Sequence, residues 1–287
     1  MVANYTLYKI AQFIAMNFPL KLGYLIAVII SDIHYVFANI DRFNVKQNLK
    51  AIFPEKTNRE ISRIRIRTFR NFAKYLVDFF RFQIIDENYI KKYIKVENLH
   101  YFDEALAKGK GMIIVSAHLG NWELGAVVVA QMKYPLWVVA LPHKKKSVDD
   151  LFNSQRESKG IKVIPLGKAV RACLNVLKNN EMVALVGDRD FTGKGTVSEI
   201  FGKPAFFPNG IAAFSLMTGT SVVPAFMVRN PDDTFTLKID KPLEISPSGD
   251  NEKDMIAINA QYIKLFEKYI RKYPDQWYMF RRFWIEP

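Results

Sequence analysis

Residues 111–125, GMIIVSAHLGNWELG, decide how the rest of the chain is read. The segment 112–117 is a short apolar run centred on Ile113, Ile114 and Val115, the pattern of a strand buried on both faces. His118 therefore falls at a strand end. Gly120 and Asn121 supply turn chemistry, and Asn121 can cap a helix that begins near Trp122 and continues through the apolar stretch 126–132. Glu123 then lies in the first turn of that helix. His118 and Glu123 are five residues apart, and at about 100° per residue one continuous helix would hold them on separate faces. A strand, turn and helix can instead fold the carboxylate back beside the imidazole. A carboxylate accepting from one ring nitrogen fixes the tautomer and raises the basicity of the other, as a general base acting on a hydroxyl or amine requires. Taken alone, the same letters also describe a structural histidine at a strand end.

Working outward, the segments 94–96, 112–117, 136–141, 162–165, 182–186, 222–228 and 235–239 read as strands, and 102–108, 123–132, 148–159, 169–179, 211–218 and 255–272 as helices. Such alternation predicts an α/β fold with a mostly parallel central sheet flanked by helices on both faces, and function at the carboxyl ends of the strands. His118 sits at one such end, and Asp188, Arg189 and Asp190 sit at another. Upstream, Thr57 and Glu60 form a capping box that opens a long helix to about Phe82, with Ile61, Ile64, Phe69, Phe72, Leu76 and Phe79 as its apolar stripe. Arg63, Arg67, Arg70, Lys74 and Arg81 share a second face of that helix. They make either a solvated surface or a contact for anionic headgroups or an acidic carrier.

The chain has 287 residues, enough for a large core in one α/β domain with an added helical segment. Lys and Arg number 41 against 28 Asp and Glu, a net charge of +13 that points to an anionic partner surface. A 49% hydrophobic content with 22 Phe and 13 Tyr exceeds what a nucleic-acid module carries and implies apolar surface beyond an ordinary core. The lone Cys173 forbids an internal disulfide and offers no thiolate cluster for zinc.

At the N-terminus, Leu7, Ile10, Ile14 and Phe18 repeat at helical spacing, and Pro19 separates them from an uncharged run over 22–31 that Lys21 and Asp32 bracket. That run is shorter than the roughly 20 apolar residues of a spanning helix. Residues 1–40 are thus expected to form apolar helices that enter one leaflet or pack on the protein's own core, with 41–287 as the chemical domain. No small-residue cleavage site follows them. The loop 187–195, GDRDFTGKG, has one residue too many for a phosphate-binding loop and no Ser or Thr after Lys194. No GxSxG elbow or HExxH metal helix is present, so neither a metal nor a tightly bound cofactor is expected.

With these residues on the page, the chain resembles the bacterial lysophospholipid acyltransferase superfamily, above all the late acyltransferases of lipid A biosynthesis and their relatives that acylate phosphatidylinositol mannosides. The resemblance spans most of the sequence. It is carried by Asn48-Leu49, Phe53-Pro54-Glu55, the segment 109–123, Arg156 and Gly160, Asp188-Arg189-Asp190, Phe201-Gly202, Thr218-Gly219, Val223-Pro224, and the terminal block from Pro274-Asp275-Gln276-Trp277 to Arg281-Arg282-Phe283. The segment HKKKS at 143–147 departs from the Asn-Pro turn of the lipid A enzymes.

The resemblance implies a membrane-associated acyltransferase at the cytoplasmic face of the inner membrane. His118, oriented by Glu123, would be the general base, and the donor would be an acyl carrier protein or coenzyme A thioester. Backbone N–H groups of Gly120, Asn121 and Trp122, or the Arg189 guanidinium, are the candidate oxyanion donors. Arg156 and Arg189, beside Asp188 and Asp190, could hold phosphate. Arg63, Arg67, Arg70 and Lys74 would meet the membrane or carrier. The acceptor is a glycolipid such as a lipid A precursor, with a lysophospholipid or aminolipid as alternatives. A non-catalytic binder of anionic membranes or nucleic acid remains the reading from another class, though nucleic acid gives no use for a His118 and Glu123 pairing.

Overall fold

A computed structural model describes residues 5–191, 193 and 195–285; residues 1–4 of the expected N-terminal segment and Lys194 of the 187–195 loop lie outside it. The chain opens with four helices, α1 (Tyr5–Asn17), α2 (Leu20–Phe37), α3 (Asn39–Ile52) and α4 (Asn58–Phe80). There follow α5 (Glu87–Tyr93), β1 (Ile94–Glu97), α6 (His100–Leu106), β2 (Met112–Ser116), α7 (Trp122–Gln131), β3 (Leu136–Ala140), α8 (Lys146–Glu157) and β4 (Lys162–Pro165). The remainder is α9 (Ala169–Lys178), β5 (Met182–Val186), β6 (Thr196–Ile200), β7 (Lys203–Phe207), α10 (Gly210–Thr218), β8 (Ser221–Arg229), β9 (Phe235–Ile239) and α11 (Asn251–Lys272).

Among the described residues, seven strands form one sheet in the order β1-β9-β8-β2-β5-β3-β4. Every neighbouring pair is parallel except β8 and β9. The central strands alternate between two apolar layers, as a sheet covered on both faces must. On β2, Ile113 and Val115 face one layer with α9, α10 and α11, while Met112 and Ile114 face the other with α6, α7 and α8. The expected mostly parallel sheet with helices on both faces is therefore what the chain forms.

One element goes beyond the sequence reading. Strands β6 and β7 pair as a separate antiparallel hairpin, joined by the two-residue loop Phe201-Gly202 between the partners Ile200 and Lys203. Both loop residues have positive φ, 52° and 72°, the backbone of a type I′ turn. A Phe in the first position hides the turn, because Asn or Asp is the usual residue there.

Helix α4 begins at the expected capping box: Glu60 N–H donates to Thr57 Oγ1 at 3.3 Å, and Thr57 N–H donates to Glu60 Oε2 at 2.9 Å. Three members of its basic face are paired with other parts of the protein, Arg70 at an exposed position. Arg70 makes a bidentate pair with Asp32 of α2 at 2.8 and 2.7 Å, Lys74 reaches Asp233 at 2.8 Å, and Arg81 donates to the carbonyls of Ala15 and Phe18. Arg63 and Arg67 are exposed. Arg70 and Arg81 thus tie α4 to α2 and α1, and Lys74 ties it to the β8–β9 connection.

Helix α2 is 18 residues long and, by length and composition, apolar enough to cross a membrane, a longer apolar helix than the run 22–31 suggests. Only one side of it packs. Gly23 lets it approach Val77 of α4, and Tyr24 OH donates to the buried Asp78. Its other side exposes Leu25, Ile29, Ile30, Ile33, Val36 and Phe37. Asp78 also accepts from Arg229 Nη2 and, at 3.0 Å, from Asn121 Nδ2, so one carboxylate ties α2, α4, β8 and the start of α7 together. Replacing Asp78 with Ala would remove the nearer carboxylate partner of the buried Arg229 and leave Asp233 at 3.3 Å, a loss of up to about 3–5 kcal/mol. Urea unfolding of Asp78→Ala should show that drop at constant slope, and a loss below about 1 kcal/mol would contradict the assigned role.

Candidate active site

Strands β2 and β5 are parallel neighbours, with Ser116 opposite Val186. Two residues beyond each partner stand His118 and Asp188, so the register alone carries the imidazole and the carboxylate to the same place. His118 Nδ1 lies 2.6 Å from Asp188 Oδ1, and the His118 N–H donates to Asp188 Oδ2 at 3.0 Å. Trp277 Nε1 donates to the same oxygen at 3.0 Å. Asp188 is 1% exposed. Burial alone would push its carboxyl up, but the His118 ring, Arg189 and the Trp277 donor outweigh it and hold the group at about 2. The His118 ring is pushed below its ordinary value by burial, against the pull of Asp188, with Arg189 and Arg281 adding to the depression. A neutral ring facing a carboxylate through Nδ1 carries its proton there, which leaves the Nε2 lone pair to accept one.

The loop after β2 is fixed by backbone contacts on both sides. The C-terminal segment runs antiparallel to it: Tyr278 N–H donates to the His118 carbonyl at 2.9 Å and Gly120 N–H to the Gln276 carbonyl at 2.8 Å. Asn48 of α3 holds that segment from behind, its amide donating to the carbonyls of Met279 and Arg281 at 3.0 and 2.9 Å. Gly120 has φ +65°, and a Cβ there would stand 1.9 Å from the Met227 carbonyl oxygen of β8. Only glycine fits that approach. Asn121 donates its N–H to the same carbonyl at 2.8 Å and caps α7 by accepting from Leu124 N–H at 3.0 Å.

Glu123 does not orient the histidine. Its carboxylate meets Arg156 of α8 in a bidentate pair, Nε to Oε2 at 2.9 Å and Nη2 to Oε1 at 2.6 Å, with both side chains about 10% exposed. Glu123 lies in the first turn of α7 and Arg156 in the last turn of α8, where each charge complements its own helix dipole. The pair locks the two helices together, and Arg156 is correspondingly engaged rather than open to phosphate. Two expected oxyanion donors are also committed, since Gly120 and Asn121 spend their N–H groups on Gln276 and Met227. Arg189 donates through Nη2 to the Tyr278 carbonyl, while its Nε is buried without a hydrogen-bond partner among the described residues. It forms no ion pair with the Asp188 beside it. Asp190 accepts from Gly195 N–H at 2.9 Å.

A cavity of about 840 Å³ opens at this site, bordered by His118, Trp122, Glu123, Arg156, Arg189 and Asp190. Trp122 stacks on Tyr75 at 4.6 Å and meets the His118 ring edge-on at 5.0 Å, forming the wall beside the base. Beyond this polar mouth the lining is apolar, with small residues at Gly125, Ala126 and Ala184 that leave space where larger side chains would fill it. A neutral imidazole held by a buried carboxylate, next to an arginine and a long apolar cavity, can deprotonate a hydroxyl beside a bound acyl chain. Asp188, Trp277 and Tyr278 complete a site that residue spacing had built on Glu123. Among the described residues, no group of three His, Cys, Asp or Glu side chains is arranged to hold a metal ion.

The chain is similar to known acyltransferases. A phosphatidylinositol mannoside acyltransferase of Mycolicibacterium smegmatis is 28% identical over 219 residues, covering 75% of this chain and 70% of that protein. The lipid A biosynthesis palmitoleoyltransferase of Escherichia coli K12 is 25% identical over 247 residues, covering 84% and 78%. The crystal structure of the 1-acyl-sn-glycerophosphate acyltransferase PlsC from Thermotoga maritima covers 83% of this chain and 98% of its own at 13% identity and a TM-score of 0.36, a likeness too loose to argue from. The family model described as bacterial lipid A biosynthesis acyltransferase matches residues 2–286, and the chain belongs to that acyltransferase family.

Proposed function

We propose that this protein moves a fatty acyl chain from a thioester donor to a hydroxyl, or an amine, of a glycolipid such as a lipid A precursor, with His118 as general base and Asp188 as the residue that orients it. The observation that carries the reading is the placement of a neutral, Asp188-bound imidazole at the mouth of an apolar cavity. His118 Nε2 takes the acceptor proton as the acceptor oxygen attacks the thioester carbonyl. The tetrahedral intermediate carries its negative charge beside the Arg189 guanidinium. Collapse breaks the carbon–sulfur bond, and the leaving thiolate recovers the proton from His118. No acyl-enzyme and no tightly bound cofactor enter these steps. General-base assistance of this kind contributes roughly 10²- to 10⁴-fold.

The donor is a thioester of acyl carrier protein or coenzyme A; both are anionic, and the +13 charge of the chain favours either. Residues 1–40 form the membrane-associating segment and 41–287 the acyl-transfer domain, at the cytoplasmic face of the inner membrane. The exposed apolar side of α2 supports that placement, because a continuous apolar surface of this kind costs free energy in water and gains it in lipid. Arg63 and Arg67 remain candidate headgroup contacts beside it.

Two measurements test these readings. Mass spectrometry of all extractable lipids should show one lipid class lighter by a single acyl chain in cells carrying His118→Ala, and identical profiles would contradict the base assignment. Ile29 and Ile33 are exposed on α2, so Ile29→Asp with Ile33→Asp should leave the fold intact and weaken sedimentation with phosphatidylglycerol vesicles at least tenfold. Undiminished binding would remove α2 from the membrane contact.

A further inference from the structure

Strands β3 and β4 are parallel neighbours at one end of the sheet, with Ala140 opposite Pro165. The segments that follow them, 141–145 into α8 and 166–168 into α9, therefore leave the carboxyl edge side by side. Leu141 and His143 of the first border the cavity, as do Leu166, Ala169 and Val170 of the second. The same two segments carry a cluster of cations. Lys144 and Lys145, from the stretch HKKKS, are exposed beside His143, and Lys168 and Arg171 are exposed on either side of Ala169 and Val170.

These cations are not satisfied within the chain. The side chains of Lys144, Lys145, Lys168 and Arg171 have no ion pair or hydrogen bond among the described residues, whereas Lys146 pairs with Asp150 at 2.7 Å and Lys162 with Glu181 at 3.2 Å. The carboxylates that follow Lys146 are already committed: Asp149 accepts from His143 N–H at 2.8 Å, and Asp150 is held by Lys146. No Asp or Glu occurs between Glu157 and Glu181. Like charges left unopposed at one edge repel one another, and an anionic partner removes that cost.

The shape of the cluster selects the kind of anion. Lys168, Arg171, Asn175 and Lys178 recur at spacings of three, four and three and are all exposed, so they lie on one face of α9. From Lys168 to Lys178 that face runs roughly 15 Å, at about 1.5 Å per residue. A depression of about 360 Å³ lined by Lys168, Arg171, Ala172 and Asn175 gives it relief. A small phosphate-bearing molecule is gripped by donors that converge on it. Here the cations stand apart along an open helix face, as suits the acidic surface of another protein.

Resting on the acyl-transfer reading above, we propose that Lys144, Lys145, Lys168 and Arg171 form the docking surface for an acidic acyl carrier protein, which presents the donor thioester beside Leu141 and Val170, both exposed on the border of the cavity. The surface selects the carrier over coenzyme A, because its cations extend along α9 away from the cavity, where only a protein can meet them.

Binding of a palmitoyl-acyl carrier protein to the full-length protein tests the surface, with palmitoyl-coenzyme A as the parallel probe, since it carries the same chain and phosphopantetheine without a protein. Reversing the surface by Lys144→Glu, Lys145→Glu, Lys168→Glu and Arg171→Glu should weaken carrier binding by about tenfold or more. Palmitoyl-coenzyme A binding should be unchanged, which also shows that the variant is folded. A control with Lys50→Glu, Arg59→Glu, Lys91→Glu and Lys264→Glu alters exposed cations that do not border the cavity. It makes the same change in net charge and should weaken carrier binding far less. A carrier that does not bind the wild type, binding that survives the reversal, or an equal loss in the control would each overturn the proposal. So would an equal loss of palmitoyl-coenzyme A affinity, which would assign the cations to a phosphate group and not to the carrier. Because the readout is binding, His118→Ala should hold the carrier as tightly as wild type does. If it does so while its lipid profile is unaltered, the base assignment falls and the docking surface stands; if its lipid profile changes but carrier binding ignores the reversal, the docking surface alone falls.

Discussion

Asp188 is a carboxylate taken almost wholly out of water, and the site is organised around keeping it charged. Uncompensated, such a group would bind a proton instead. Three donors prevent that, arriving from separate parts of the chain: the His118 backbone and ring from the end of β2, and the Trp277 indole from the C-terminal segment. Arg189, next in sequence, adds positive charge. In exchange the anion fixes the imidazole by two contacts at once, one to its ring and one to its own backbone. The His118 ring, the general base of the proposed reaction, is thereby held in one orientation and one tautomer.

A second buried carboxylate, Asp78, performs the corresponding task for the frame. It joins the apolar helix α2 through Tyr24, β8 through Arg229, and the cap of α7 through Asn121. Asn121 is three residues from His118, so the apolar helix α2 and the loop that carries His118 share one hydrogen-bond network. Arg70 and Arg81 strengthen the same attachment from α4. Helices α1 and α2 are thus integral to the fold around the site, and the proposed membrane contact through α2 would hold the cavity mouth at a fixed position relative to the bilayer.

The strands at 112–117, 182–186 and 222–228 were legible because strands buried on both faces must be apolar throughout, and the helices because capping boxes and 3.6-residue stripes are local. What was not legible is whatever depends on which strands are neighbours. Glu123 stands five residues from His118 in the chain, whereas Asp188 stands 70 away and becomes adjacent only because β5 pairs with β2. Sequence proximity therefore favoured Glu123, whereas the carboxylate in contact with the ring is Asp188, visible in the sequence as a charged residue at a strand end. The same limit applies to Arg70 and Lys74, whose stripe gave no sign that Asp32 and Asp233 wait on other elements to pair with them. The β6–β7 hairpin escaped for a different reason: its strands mix polar and apolar residues, and a Phe occupies the turn.

The assignment of Asp188 as the residue that orients and charges the base is tested most directly by an NMR pH titration of the His118 ring in wild type, Asp188→Asn and Glu123→Gln. Burial places the wild-type pKa below the ordinary histidine value, and the Asp188 anion raises it against that burial by stabilising the imidazolium. Removing the anion should therefore lower the His118 pKa further, while removing the Glu123 charge, spent on Arg156, should shift it by much less. A large shift in Glu123→Gln with none in Asp188→Asn would return the role to Glu123 and contradict this account of the site.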